Sequence, residues 1–281
     1  MSTPPLRGKR IPGPVAIGVD AQRFANLTRT LAVTEFKLRF FGSALGYLWQ
    51  LMRPLLLFGV LYVVFTLVLR FESSADFYPV ALLSGIVMFV FVSESTGAAV
   101  TSLVDREPLV RKVQFPRLVV PLSVTLTGLM NFGLNLIVVL VFLIVSGGTV
   151  RLSWLELPVL AALLTLLTAS LSTLLSALYV RYRDIRPVWE VTLQILFYAT
   201  PIFYTLDIIN NTTIERLLLI NPLAVIIQQF RHAIIDPSHP SAVEAAGGWL
   251  LLLAPAAILA ALALGGYRYF DREAPRIAED L

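Results

Sequence analysis

Cysteine is absent from the 281 residues, so neither a disulfide framework nor a thiolate metal site is available. Charge is scarce: Asp, Glu, Lys and Arg make up 14% of the chain, against roughly 25% in an ordinary soluble domain. The two histidines, His232 and His239, stand in no His-Glu-x-x-His motif and near no clustered carboxylates, so no metal site is expected. A phosphate-binding G-x-x-x-x-G-K-[ST] loop is missing as well. Gly8-Lys9 runs into Arg10 without the preceding glycine spacing, so the chain is not expected to hydrolyse ATP itself. Arg7, Lys9 and Arg10 sit among prolines with no apolar stretch behind them, which does not read as a cleaved signal peptide. Short Asn-x-Thr matches at Asn26, Asn210 and Asn211 carry no weight at that length. No catalytic constellation is found.

What is abundant is apolar surface. Hydrophobic residues make up 57% of the chain, which points to an integral membrane protein of all-α class. Six candidate spans are expected, at 48–69, 79–102, 118–145, 154–178, 188–206 and 249–267, each read against the ~20 apolar residues a helix needs to cross a bilayer. The fifth contains Pro201, tolerable where neighbours re-satisfy the freed carbonyl. Ahead of the spans, residues 1–22 read as a flexible tail. Residues 23–47 read as an amphipathic helix lying in the membrane interface, with Phe24, Leu27, Leu31, Leu38 and Phe41 on one face. Residues 213–235 hold two short apolar stretches separated by Asn221-Pro222, the pattern of a re-entrant hairpin. Residues 271–281 read as a second tail. All of the 22 Lys and Arg except Arg70, Arg151, Arg216 and Arg231 fall in the tails, the interface helix with the entry to span one, or the connectors after spans two and four. This bias places both termini in the cytoplasm.

The chain is organised around the connector 105–117. Asp105, Arg106, Glu107, Arg111, Lys112 and Arg117 alternate there with Leu109, Val110 and Val113, as in a short amphipathic helix offering an apolar ridge to a cytosolic partner. An ordinary basic loop is the competing reading. Glu94 is the ionisable residue well inside a span, ~13 Å deep by helical rise, and so a functional candidate. The alternative is a carboxyl tied to Ser93, Ser95 or a neighbouring helix for packing. Phe197, Tyr198, Phe203 and Tyr204 cluster at the end of span five. They suit stacking on sugar rings in a channel, although an interfacial aromatic belt accounts for them more simply. Trp49 is placed at headgroup depth, and Arg53 snorkels to the same level.

Three segments carry a resemblance: Glu35 through Trp49 to Pro54, Leu109 through Arg117, and Arg181-Tyr182-Arg183-Asp184-Ile185. In order and over nearly the whole chain, they resemble the type-2 ABC transport permeases, most closely the branch exporting lipid-linked polysaccharides such as O antigen, teichoic acid or galactan. The resemblance implies a permease working as a homodimer in the bacterial cytoplasmic membrane, with two copies of a separate ATPase subunit that binds ATP and Mg. It implies a coupling helix at Asp105–Lys112, with Arg181, Arg183 and Asp184 as a second ATPase contact. It further implies a gate helix near Phe24–Phe41 and an extracellular re-entrant hairpin. The substrate would be a glycan on polyprenyl diphosphate, with Arg39, Trp49 and Arg53 at its headgroup. A type-2 permease for a drug or small lipid is the nearest alternative. A polyprenyl-lipid transferase would need acidic metal-binding motifs, which Asp105, Glu107 and Asp184 do not form.

Overall fold

The computed structural model describes residues 20–40, 46–68, 77–111, 115–206, 209, 211–275 and 277. These residues form helices and connecting turns. Helix α1 (Ala21–Phe40) is followed by α2 (Gly46–Tyr62), which continues as a π-helical turn over Val63–Val68. The long α3 (Tyr78–Asp105) leads into the one-turn α4 (Glu107–Val110), and α5 (Val119–Val145) returns. A 3-10 turn precedes α6 (Leu157–Arg181), and α7 (Ile185–Ala199) follows directly. The short helices α8 (Thr212–Leu218), α9 (Pro222–Phe230) and α10 (Ala242–Ala246) precede the final α11 (Leu253–Glu273).

Among the described residues five helices are long and apolar enough to cross a bilayer, and the bent pair α8 with α9 makes a sixth if taken as one span. The central helix is α3, which packs on α5 and α6, and 78% of its most apolar stretch is buried inside the chain against 6% for the first span. Its polar residues are absorbed locally. Thr96 returns its hydroxyl to the carbonyl of Val92, and Thr125, Thr127, Thr168 and Thr173 do the same four residues back on α5 and α6. This is how hydroxyls are accommodated where no water competes. Trp189 of α7 donates its indole N–H to Thr96 Oγ1 at 3.0 Å, pinning α7 to the central helix.

Several sequence expectations change. The fifth span, expected over 188–206, ends at Ala199; the helix has 15 residues, about 22 Å of rise. Thr200 is extended at φ −100°, ψ 138° because the residue before a proline is driven out of the helical region, so Pro201 ends the helix instead of kinking it. The last span starts at Leu253, after Gly247 and Gly248 adopt φ of 79° and 134° that continue no helix, and it runs on to Glu273. The region expected as a tail from 271 is not free either: Ala274 and Ile277 are buried against Leu103 and Val110. The two-helix hairpin forms with a 105° bend at Asn221-Pro222, and α10 is added to it by a capping box between Ser241 and Glu244. The Ser241 backbone N–H and side chain both bond the Glu244 carboxyl and hold it below the ordinary carboxylate range. Residues 1–19, the Gly42 approach and the 70–76 turn lie outside the described residues.

One close approach fixes the register of the α7 exit. A Cβ placed on Gly85 of α3 would stand 3.1 Å from the Ile202 carbonyl oxygen. Gly85→Val is expected to push the 200–206 segment outward and lower stability by about 1–3 kcal/mol, read as a fall in the melting temperature of the purified protein. Unchanged melting would mean that this contact is slack.

Candidate functional site

Three groups of residues stand out, two of them at one end of the bundle. At that end α3 turns through α4 into α5, and the ends of α6 and α11 lie alongside. Val110 is fully buried among Leu103, Leu118, Val120, Val180, Phe270 and Ile277. The apolar ridge expected to face a partner therefore splits. Val110 faces inward, Leu109 is half-buried, and Val113 and Lys112 lie outside the described residues. Asp105, Pro108 and Arg111 are exposed, with Asp105 accepting from Thr101 at 2.7 Å and Arg111 paired to Glu107 at 2.8 Å. Arg106 turns back into the bundle. It pairs with Glu35 of α1 and donates to Ser123 Oγ of α5 at 3.1 Å. Thr127 Oγ1 of α5 donates to the Ala32 carbonyl at 3.2 Å, so α1 is fastened at two levels.

The α6–α7 connector is open to solvent. Arg181, Tyr182, Arg183 and Asp184 are all exposed. The guanidinium of Arg183 lies 5.0 Å from the Tyr179 ring centre and that of Arg181 5.5 Å from Tyr182. Such exposed cation–π pairs hold two arginines in fixed directions at modest energy, ~0.5–1 kcal/mol each.

The second group joins two residues that the sequence reading kept apart. Arg53 Nη1 of α2 meets Glu94 Oε1 of α3 at 2.6 Å, and Gln50 Nε2 meets the other carboxylate oxygen at 3.3 Å. The Arg53 side chain is 74% exposed and that of Glu94 27%. Glu94 is thus tied to the neighbouring helix, and Ser93 instead bonds the Val90 carbonyl. Trp49 is exposed one position before Gln50. The Arg39 side chain lies outside the described residues.

The third group sits at the opposite end of α3. The non-helical stretch after α7 leaves carbonyls without helix partners; two side chains supply them, and a third holds the Thr200 hydroxyl. Arg231 donates to Ile202 O at 2.9 Å and Tyr204 O at 3.1 Å, Tyr78 donates to Phe203 O at 2.8 Å, and Asn221 donates to Thr200 Oγ1 at 2.9 Å. Held this way, the aromatics form one cluster. Phe203 stacks on Phe65 at 4.9 Å, Phe197 meets Phe89 edge-on at 5.1 Å, and Phe203 meets Tyr204 at 5.0 Å. Tyr198 contacts Phe197 at 5.4 Å and is exposed. Arg231, which falls in the second arm of the expected hairpin, is 1% exposed.

No nucleotide loop accompanies these sites in the sequence. The family model for ABC-2 type transporters matches residues 26–235. The chain belongs to the ABC-2 type transporter family. It is a multi-pass membrane subunit of an ABC transporter, a permease and not an enzyme, and an ATPase partner comes with that family. The permease is 28% identical over 263 residues to an O-antigen export system permease protein RfbA of Myxococcus xanthus, covering 93% of this chain and 98% of the relative. Two Klebsiella pneumoniae proteins of the same description are 32% and 30% identical, covering 70% and 72% of this chain and 75% and 77% of theirs.

Three members of the permease's sites escaped the sequence reading: Glu35, Gln50 and Arg231. The partners of Glu35 and Arg231 are 71 and at most 29 residues away, beyond any local pattern. One signal was present for Arg231: it stands inside an apolar stretch too short to span, between Phe230 and Ile234, where a lone arginine has little water to go to.

Proposed function

We propose that this chain is the permease of an exporter that moves a polysaccharide carried on polyprenyl diphosphate out of the cytoplasm. It acts as a homodimer in the bacterial inner membrane, with both termini cytoplasmic and two copies of an ATPase subunit that binds ATP and Mg. The observation that carries this reading is the near end-to-end likeness to a protein described as an O-antigen export permease. The geometry is consistent with it. Helices α3 and α5, with 28 and 27 residues, rise about 40 Å, some 10 Å more than a hydrocarbon core. The surplus stands in the cytosol at the α4 end, where an ATPase would seat. Asp105–Arg111 with Arg181, Arg183 and Asp184 form the contact surface, and a rigid-body shift there reaches α1 through Arg106 and Glu35. Near α1, Arg39, Trp49 and Arg53 receive the lipid headgroup, and arginine suits its diphosphate. The aromatic cluster at Phe197, Tyr198, Phe203 and Tyr204 lines the outer part of the glycan path.

The test is reconstitution. Permease and ATPase together in vesicles are expected to translocate a polyprenyl-diphosphate glycan on addition of ATP, and the permease alone is not. Uptake of a small drug or simple phospholipid by the pair, with no glycolipid movement, would overturn the reading. Within that assay Leu109→Asp is expected to cut export at least tenfold while ATP hydrolysis persists. Val110→Asp is expected to act differently. It buries a carboxylate in an apolar cluster at a cost of about 3 kcal/mol or more, so the complex is lost from the membrane before coupling can be read.

A further inference from the structure

The two sides of α1 differ in charge. Its inner side is held by the bundle. Phe24 packs on the cluster that contains Leu118 and Val120, the Ala32 carbonyl accepts from Thr127 at 3.2 Å, and Glu35 pairs with Arg106. Its outer side carries Arg23, Asn26, Arg29, Thr30, Thr34 and Lys37, all exposed. Successive members of that stripe stand three or four residues apart, the spacing of one helical face, with Arg29 on its flank.

No carboxylate offsets these cations. Asp20 is turned to the start of the helix, where it accepts from the backbone N–H groups of Gln22 and Arg23, and Glu35 is spent on Arg106. Arg53, Arg106, Arg111 and Arg186 each pair with an acid of the chain. Among the described residues, Arg23, Arg29 and Lys37 pair with none. Three cations on one face with no anion between them present a positive field to whatever lies outside the chain.

Depth and the neighbouring side chains say what lies there. From Phe24 to Ala32 the helix runs beside α5 between Leu118 and Thr127, and Thr127 is eight residues past the start of α5, about 12 Å by helical rise. That is the part of α5 in excess of a hydrocarbon core, together with the boundary where headgroups lie. Leu38, the residue after Lys37, is 66% exposed. Cationic and aliphatic side chains next to each other at this depth match a layer of anionic headgroups over acyl chains. A water-facing acidic protein surface would leave Leu38 unmatched.

We propose that the outer side of α1 is a binding surface for anionic phospholipid in the leaflet at the α4 end, with Arg23, Arg29 and Lys37 holding the phosphates. The lipid here is bulk membrane lipid, and the inference holds whatever the exporter carries.

The test uses the permease assembled with its ATPase subunit in phosphatidylcholine nanodiscs. Because the chain has no cysteine, Thr30→Cys gives the permease a single thiol in the middle of the stripe, labelled with a fluorophore before assembly. Quenching is measured with spin-labelled phosphatidylglycerol and spin-labelled phosphatidylcholine at equal mole fraction. Each cation near an anionic surface adds roughly fivefold to the local preference, so quenching by the glycerol lipid is expected to be at least about fivefold stronger. Replacing Arg23, Arg29 and Lys37 together by Gln is expected to bring the ratio to about one, and Arg23→Lys with Arg29→Lys to preserve it. Equal quenching by the two lipids without those replacements, or a ratio untouched by the Gln replacements, overturns the inference. Quenching by neither lipid until the ATPase is stripped away also overturns it, since the stripe would then be a protein contact. Should the Gln variant fail to assemble, salt decides: raising it from ~0.1 M to ~0.5 M screens exposed charges and is expected to lower the ratio several-fold, and an unmoved ratio overturns the inference.

Discussion

Arg231→Met is expected to lower the stability of the assembled permease by about 3–5 kcal/mol and to bring export below a tenth of wild type. The arginine is almost wholly buried and donates to the carbonyls of Ile202 and Tyr204. Methionine fills the volume but donates nothing, so two buried carbonyls lose a charged partner. Each such hydrogen bond contributes ~1.5–3 kcal/mol. The loss is not confined to stability, because the segment so held carries Phe203 and Tyr204. Arg231→Lys separates the two effects. One ammonium can reach one carbonyl but cannot span both as the planar fork does. Its melting temperature is therefore expected between those of wild type and Arg231→Met, with export still reduced. The checks are thermal unfolding of the purified complex and glycolipid translocation in vesicles. A methionine variant that melts and exports like wild type would show that the bend is self-supporting.

Reversal of the Glu35–Arg106 pair is the second large effect. Both side chains are about one-fifth exposed, so the pair is worth more than a solvent-bathed one, for which ~0–1 kcal/mol is usual. Glu35→Arg or Arg106→Glu alone places like charges together between α1 and the α3–α4 turn. Each is expected to lower export more than tenfold while the complex continues to hydrolyse ATP. The combined reversal restores the attraction and is expected to recover at least half of the export, less the Ser123 contact that Arg106 also makes. A double-mutant cycle reads this directly. Additive losses with no recovery would mean that α1 and the turn work independently.

Span composition was legible because it depends only on runs of apolar residues; Tyr78–Asp105 and Val119–Val145 lie within a few residues of where the hydropathy puts them. Element ends were less so. Pro201 reads as tolerated, and whether a proline bends or stops a helix depends on what takes up the freed groups, here Tyr78 of α3 and Arg231 just after α9. Glu94 stands out in the sequence by its cost in an apolar span, but its partner is 41 residues away on another helix, and periodicity says nothing about which helices touch. The connector 105–117 looked like a detached amphipathic ridge because residues 270–277, which bury Val110, come from the far end of the described chain.

That last contact gives the molecule a sense of time. The pocket around Val110 takes Phe270 from the last turn of α11 and Ala274 and Ile277 from just after it. A half-synthesised chain, with only its early helices threaded into the bilayer, cannot assemble that platform. A chain cut before α11 would leave that face of Val110 uncovered.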